Sequence, residues 1–220
     1  RVPYELYSRP GTEDEETACI HPSSLLSGDA PEYAVYREVI RSSRPYMRYV
    51  TVIDPAWLVT LAPLTLCTRV QILDLPLPRF NSSADHLMCY VSATFGKWSL
   101  PPTEARFPLD NPDRFKHFAR LLIEGKVLPA FKRLAKHLKT KPNVIVSQPD
   151  WSQAKIKNLV SALALSGIDC VKALEDVWKE EPTKLLREIV PWYDPSVHFW
   201  LRKHWPLKEN SLPNSAKRKR

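Results

Sequence analysis

The chain has 220 residues, 44% of them hydrophobic and 25% charged, so we expect a folded core and not an extended disordered segment. No apolar run approaches the ~18–20 residues that a membrane-spanning helix needs, which excludes a membrane as a partner. The net charge of +8 is uneven: residues 1–110 carry 10 Lys and Arg against 13 Asp and Glu (−3), and residues 111–220 carry 22 against 11 (+11), so we expect the second half to face a polyanion.

The first 63 residues are predicted to form strands followed by a short helix. Successive side chains are assigned to opposite strand faces over residues 33–41 and again over residues 46–53, and the turn-forming sequence between them predicts a β-hairpin. Asp54 then suits a helix N-cap, and Pro55 suits the first helical position. The apolar stripe of this helix is predicted to be Trp57, Leu58 and Leu61.

Residues 64–206 are predicted to form a mixed α+β domain with several helices. Two strands rich in Val, Ile, Leu and Tyr span residues 69–75 and 86–94, and a polar, proline-rich loop joins them. A short strand is predicted at Val144–Val146. The predicted helices begin at Asn111 and near Pro129, centre on Ile156–Leu163, and cover residues 169–179, 182–190 and 195–204.

Residues 114–141 give the strongest functional signal, because nine Lys and Arg residues face one acidic residue, Glu124. On the helix predicted near Pro129, spacings of four and three put Lys132, Lys136 and Lys139 on one face. Repeated positive charge on a rigid element suits a phosphate backbone, although an ordinary solvated helix face remains the alternative. The predicted RNA contacts in this region are Lys126, Lys132, Arg133, Lys136, Lys139 and Lys141.

Two aromatic groups are weaker candidates. Tyr46 and Arg48 project together from the second hairpin strand, with Arg44 in the adjoining turn, and such a pair suits either a stacking platform for single-stranded RNA or the interior of a small barrel. Aromatic rings also gather near the C-terminus, where most are predicted to be core and the remainder to form a peptide- or RNA-docking surface. The docking candidates are Trp192, Tyr193, Trp200 and Trp205.

Catalytic motifs are missing from the sequence. Its five glycines include no pair with the spacing of a phosphate-binding loop, and there is no G-x-S-x-G elbow. The six histidines and four cysteines are dispersed without zinc-site spacing, so we expect reduced, buried thiols in an intracellular protein. We therefore predict no catalytic residue, no metal and no cofactor in this chain, which is not an enzyme by itself.

Three segments together resemble the oligonucleotide-binding (OB) fold that closes DEAH-box RNA helicases. Cys19–Ser24 contains His-Pro-Ser-Ser, Pro31–Glu38 contains a Val-Tyr-x-Glu strand, and Tyr46–Leu58 contains a Tyr-x-Arg-x-Val-Thr strand followed by Pro-x-Trp-Leu. They occur in the family's order and spacing over residues 17–63. This resemblance implies a small β-barrel beside a helicase core that helps to hold single-stranded RNA. It maps RNA contacts to His21, Ser23, Ser24, Arg44 and Arg48.

The resemblance also implies a domain organisation and a cellular role. With the resemblance placed on residues 17–63, we expect an OB-fold domain at residues 1–63, an α+β C-terminal domain at 64–206 and, from the polar composition alone, a flexible basic tail at 207–220. Its last residues, Lys217–Arg220, suit a nuclear address or a loose polyanion contact. The long extension, with Trp98–Pro102 and Val190–Tyr193, resembles the branch of the family that acts in small-ribosomal-subunit assembly.

That branch implies that this chain is a piece of a longer, nucleolar helicase that binds ATP and Mg²⁺ in other domains. The implied partners are pre-ribosomal RNA, a small nucleolar RNA, the remaining helicase domains and a pre-ribosomal assembly factor. A protein-docking module is the alternative function.

Overall fold

The computed structural model describes residues 7–8, 17–29, 31–61, 67–96, 98–147 and 153–207. The chain divides into two compact units: Arg1–Pro76 with Tyr90–Ala105, and Leu77–Cys89 with Arg106–Arg220. The strands are β1 (Tyr7–Ser8), β2 (Thr17–Ile20), β3 (Ala34–Val35), β4 (Glu38–Arg41), β5 (Pro45–Arg48), β6 (Thr51–Val52), β7 (Cys67–Ile72), β8 (Arg79–Asn81), β9 (His86–Phe95), β10 (Trp98–Ser99) and β11 (Thr103–Arg106). The helices are α1 (Pro55–Leu61), α2 (Asp113–Ile123), α3 (Pro129–Lys132), α4 (Ala154–Leu165), α5 (Val171–Glu180), α6 (Leu186–Ile189) and α7 (His198–His204).

The first unit contains a four-stranded sheet in the order β1-β2-β5-β4. The predicted hairpin is confirmed as the antiparallel pair β4–β5, and β5 also pairs in parallel with β2, which sets Cys19 opposite Tyr46. Both predicted strands are interrupted, and their outer parts, β3 and β6, form a separate two-stranded sheet. The α+β class is confirmed, and the strands within the described residues form separate sheets and no closed barrel.

Two small clusters provide the core of the first unit. Ala18, Ile20 and Met47 pack on one face of the four-stranded sheet. The second cluster joins α1 to the strands that follow it and consists of Leu58, Cys67, Ala93 and Leu100.

Helix α1 is confirmed at its predicted position, because the Asp54 carboxylate accepts the Ala56 N–H at 2.8 Å. Its predicted apolar stripe is wrong. Leu58 is buried, whereas Trp57 is 53% and Leu61 is 77% exposed. The helix therefore contributes one core residue and leaves one aromatic ring in solvent.

Strand β9 is confirmed, and its alternating burial reflects the period of two in its sequence. Strand β7 begins two residues before the predicted start and contains an irregularity between Thr68 and Gln71. The segment predicted as a loop contains β8, which pairs with the start of β9. A tight turn makes this pairing possible, because the Asn81 side chain accepts the N–H groups of Ser83 and Ala84.

In the second unit, three of the helices predicted from apolar periodicity are confirmed. Helix α2 buries Phe115, Phe118, Ala119 and Leu122. Helix α4 buries Ile156, Leu159, Val160 and Leu163 and ends before Gly167, which has φ +63°. Helix α5 buries Leu174 and Trp178.

Other predictions for the second unit are wrong. The predicted strand at Val144–Val146 lies in a 3₁₀ turn at Pro142–Ile145, since Pro142 begins a tight turn. The helix predicted over 182–190 is reduced to α6, because Leu185 has φ 67° and residues 182–185 form turns instead of helix; a 3₁₀ turn follows at Val190–Trp192. The helix predicted over 195–204 begins as a 3₁₀ turn and continues as α7.

The predicted tail starts too early. Leu207 is 1% exposed and belongs to the core of the second unit. Residues 208–220, with the basic sequence Lys217–Arg220, lie outside the described residues.

Candidate nucleic-acid interface

In the first unit, the parallel pairing of β2 with β5 brings the predicted His-Pro-Ser-Ser loop next to Tyr46. The backbone N–H of His21 donates to the Met47 carbonyl at 3.0 Å. The His21 and Tyr46 rings meet edge to face with centroids 5.5 Å apart. His21, Tyr46 and the neighbouring serines, which the sequence named separately, therefore lie together in one cluster.

The loop that carries this cluster is held by its own side chains. The Ser23 N–H donates to His21 Nδ1 at 3.1 Å, and the Ser23 hydroxyl lies 2.7 Å from the same nitrogen. Ser24 caps the following 3₁₀ turn by accepting the Leu26 N–H at 3.3 Å. These contacts fix the loop, and the imidazole edge stays partly accessible.

Arg48 lies on the same face of β5 as Tyr46. Its guanidinium is 3.6 Å from the Glu38 carboxylate on β4 and 5.3 Å from the centre of the Tyr49 ring. Arg44 lies in the exposed turn between β4 and β5. The three predicted groups Tyr46, Arg48 and Arg44 therefore follow one strand, with the cations toward solvent.

The predicted basic helix of the second unit is wrong. Helix α3 ends at Lys132 after one turn, and a 3₁₀ turn at Ala135–His137 follows it. The next backbone groups pair with another segment: the Lys139 N–H donates to the Trp192 carbonyl at 3.0 Å, and the Asp194 N–H donates to the His137 carbonyl at 2.8 Å. Because these groups bond across the chain, no helical face aligns the three predicted lysines.

The positive charge of this segment is nevertheless exposed to solvent. Lys126 pairs with Glu124 at 2.8 Å. Five further cations are exposed and form no ion pair within the described part of the chain: Lys132, Arg133, Lys136, Lys139 and Lys141. We name this set the basic segment; it has a formal charge of +5 over ten residues.

Lys139 also influences the pKa of a neighbouring carboxyl group. The pKa of the Asp194 carboxyl is lowered, first by hydrogen bonding from the Ser196 N–H and further by the charges of Lys139 and His137. The basic segment thus lies beside the strand-like residues 192–194.

The C-terminal aromatic residues are mostly core. Trp192 and Tyr193 are fully buried, so they are wrong as docking candidates, because a buried ring presents no surface to a partner. The Trp205 indole donates to the Lys184 carbonyl at 3.2 Å and packs against Trp178. Trp200 stacks on His204 at 4.5 Å.

Phe199 belongs to the C-terminal aromatic group but is not one of the predicted docking candidates, and its ring is 78% exposed on α7. Arg202 and Lys203 follow it at helical spacings of three and four and are exposed as well. The helical period could have indicated this face, but the burial of its neighbours depends on the tertiary fold.

The second unit also contains ionisable groups in its interior, around Arg120. Arg120 is 3% exposed; its guanidinium donates to the Pro78 carbonyl and pairs with Glu124. Burial lowers the pKa of Arg120 and lowers the pKa of His117 to about 4, with the Arg120 charge as a second cause for His117. Because the Arg120 side chain and the His117 Nδ1 are both buried, we assign the two groups to the core.

Within the described ranges, no helix is long and apolar enough to cross a membrane. In the same part of the chain, no three His, Cys, Asp or Glu side chains are grouped as metal ligands.

The sequence matches two family models. The oligonucleotide/oligosaccharide-binding (OB)-fold model covers residues 5–65, and the model of the DEAH helicase DHX37 C-terminal domain covers residues 130–209. The chain belongs with the C-terminal region of DEAH-box RNA helicases. This result confirms the family resemblance predicted from residues 17–63.

Curated relatives agree with the family models. The chain is 32% identical over 197 residues to the probable ATP-dependent RNA helicase DHX37 of Homo sapiens, covering 87% of this chain and 17% of the relative. It is 31% identical over 205 residues to the ATP-dependent RNA helicase DEAH13 of Arabidopsis thaliana, covering 91% and 16%. The probable ATP-dependent RNA helicase kurz of Drosophila melanogaster is 33% identical over 181 residues, covering 79% and 15%. The chain thus spans about one sixth of the length of these relatives.

Proposed function

We propose that this chain is an accessory RNA-binding region of an ATP-dependent DEAH-box RNA helicase. The exposed charge of the basic segment carries the proposal, since its cations form no ion pair with the residues that the structure describes and can neutralise phosphates and release counterions. The cluster of His21, Tyr46 and Arg48 on the OB-fold sheet supports it with rings and a guanidinium on one strand face.

The domain organisation belongs to this proposal. We infer an OB-fold domain at residues 1–63 and an α+β C-terminal domain at 64–206. The match of the OB-fold model to residues 5–65 and of the C-terminal model to residues 130–209 supports this division.

For the whole protein we propose ATP-driven remodelling of the pairing between a small nucleolar RNA and pre-ribosomal RNA, in the nucleus and nucleolus. The relatives are named as ATP-dependent RNA helicases, which supports the helicase activity. The resemblance of Trp98–Pro102 and Val190–Tyr193 to the small-subunit branch supports the ribosomal role. ATP and Mg²⁺ would bind in the helicase core, and a pre-ribosomal assembly factor would be a further partner.

The test is the affinity of the 220-residue chain for a fluorescent single-stranded RNA. The variant Lys132→Glu/Lys136→Glu/Lys139→Glu reverses three charges of the basic segment. The matched control Lys157→Glu/Lys172→Glu/Lys179→Glu makes the same change in net charge at three exposed lysines of α4 and α5. We expect the first variant to lose at least about tenfold in affinity and the control to lose much less. Equal losses would show that only net charge matters, and absence of wild-type binding at low salt would refute the proposal.

A second candidate function is protein docking, and the exposed Phe199 with Arg202 and Lys203 on one face of α7 favours it. Co-sedimentation of the chain with purified pre-ribosomal particles tests it. Loss of co-sedimentation in Phe199→Ala at high salt, with the triple lysine variant unaffected, would favour docking over RNA binding.

A further inference from the structure

Tyr49 lies between β5 and β6 in a backbone conformation that tyrosine rarely adopts. Its φ is 55°, in the left-handed region, where a bulky L-residue loses roughly 1–2 kcal/mol relative to ordinary backbone. The ring gains little burial in return, since the residue is 62% exposed. An unfavourable conformation that presents an aromatic ring to solvent is an arrangement that functional sites often contain.

Two arginines accompany this ring. The guanidinium of Arg48 lies 5.3 Å from the centre of the Tyr49 ring, and that of Arg37 lies 5.7 Å from it. The Arg37 N–H donates to the Arg48 carbonyl at 3.2 Å, so the backbone holds Arg37, directly before β4, next to Arg48 at the end of β5. Glu38 offsets part of this charge through its contact with Arg48 at 3.6 Å.

The other exposed aromatic ring among the described residues of the first unit lacks these features. Trp57 on α1 is 53% exposed, and within the described residues no arginine or lysine lies over its ring. Tyr46, which the sequence favours as a platform, is half-buried with its ring against His21. Tyr49 alone among these three combines exposure with two adjacent cations.

We propose that Tyr49 is a base-stacking platform for single-stranded RNA and that Arg37 and Arg48 hold the flanking phosphates. This inference rests on the proposed RNA-binding function and names the residue that carries it in the first unit. An aromatic ring stacks on any base because each base has a π-face, and the guanidinium groups contact the backbone without reading sequence. The platform is therefore tolerant of sequence, as a helicase that moves along a strand requires. An acidic peptide would use the arginines without needing the ring.

The experiment measures binding of the 220-residue chain to a fluorescent 12-nucleotide oligouridylate and to the same oligonucleotide with abasic positions. The variants are Tyr49→Gly, which suits the left-handed backbone, and Tyr49→Phe, which keeps the ring. Trp57→Ala is the matched control that removes another exposed aromatic ring from the same unit. We expect Tyr49→Gly to weaken binding by roughly 5- to 100-fold, with Tyr49→Phe and Trp57→Ala close to wild type. Abasic positions should weaken binding by wild type and have little further effect on Tyr49→Gly.

Three outcomes would overturn the platform. If Tyr49→Gly binds like wild type while the triple lysine variant still loses affinity, the platform is wrong and the proposed function stands. If Arg37→Ala weakens binding and neither Tyr49→Gly nor abasic positions do, the site recognises phosphate or acidic groups alone. If wild type binds no RNA, the platform and the proposed function both fail.

Discussion

The carboxylate of Asp85 accepts a hydrogen bond from the backbone N–H of Val171 at 2.7 Å, across 86 residues of chain. Its second oxygen accepts the Lys172 N–H at 2.9 Å. The first N–H groups of a helix have no partner within the helix, so Asp85 caps α5 from the turn between β8 and β9. The Cys170 sulfur accepts the next N–H, that of Ala173, at 3.4 Å.

Replacing Asp85 should therefore destabilise the second unit. Asp85→Ala removes two charge-assisted hydrogen bonds and puts alanine at φ 51°, and we expect it to lower the free energy of unfolding by about 2–3 kcal/mol. Asp85→Asn keeps one acceptor and tolerates the left-handed backbone, so its loss should be about 1 kcal/mol. Urea unfolding measures both, with Asp110→Asn as an exposed control. Equal unfolding midpoints for Asp85→Ala and wild type would refute the cap.

Two glycines with the same backbone conformation should respond differently to alanine. Gly125 has φ +72° and Gly167 has φ +63°. A Cβ at Gly125 would lie 2.7 Å from the Phe131 carbonyl carbon and closer still to the backbone of Lys132, whereas a Cβ at Gly167 would meet no atom within 4 Å. We expect Gly167→Ala to cost about 1 kcal/mol and Gly125→Ala at least about 3 kcal/mol. Thermal unfolding compares the two, and equal losses would contradict the close approach.

His117, whose ring nitrogen Nδ1 is buried, should make the second unit sensitive to acid. Burial, helped by the charge of Arg120, lowers the pKa of His117 from 6.5 to about 4, and its Nδ1 has no hydrogen-bond partner among the described residues. Between these values the unfolded chain binds the proton and the folded chain does not, so stability falls as the pH falls from about 6.5 to about 4.

The loss between pH 7 and pH 5 should be about 2 kcal/mol for wild type and smaller for His117→Gln. Urea unfolding at the two pH values measures it. The variant His137→Gln, at a half-buried histidine, should keep the wild-type difference. A His117→Gln variant with the same pH difference as wild type would contradict the assignment.

Sequence patterns correctly predicted those helices and strands whose formation depends mainly on their own residues. Helices α2 and α4 carry apolar residues with the helical period, and β9 alternates over its length, so each element follows from its own residues. The helix expected after Pro129 failed because the backbone of residues 137–139 pairs with residues 192–194. That partner is more than fifty residues away, and no pattern near Pro129 indicates it.

The candidate site likewise has one property that the sequence shows, its charge, and one that it does not, the arrangement of its side chains. Charge is a property of composition, so the basic segment was visible in the sequence, but the arrangement of its lysines was not. Tyr49 follows Arg48, and strict alternation would have placed the two side chains on opposite faces. The left-handed backbone at Tyr49 breaks the alternation and brings the ring under both arginines, a result that depends on tertiary structure.

The most direct test of RNA binding is the salt dependence of the affinity of the 220-residue chain for single-stranded RNA, measured from about 50 mM to about 200 mM salt. If the basic segment neutralises at least three phosphates, log K should fall against log salt with a slope of roughly −2 or steeper. The triple variant Lys132→Glu/Lys136→Glu/Lys139→Glu should flatten that slope by about 2. An affinity that stays constant with salt, or a slope that the variant leaves unchanged, would contradict a phosphate-binding role for the basic segment.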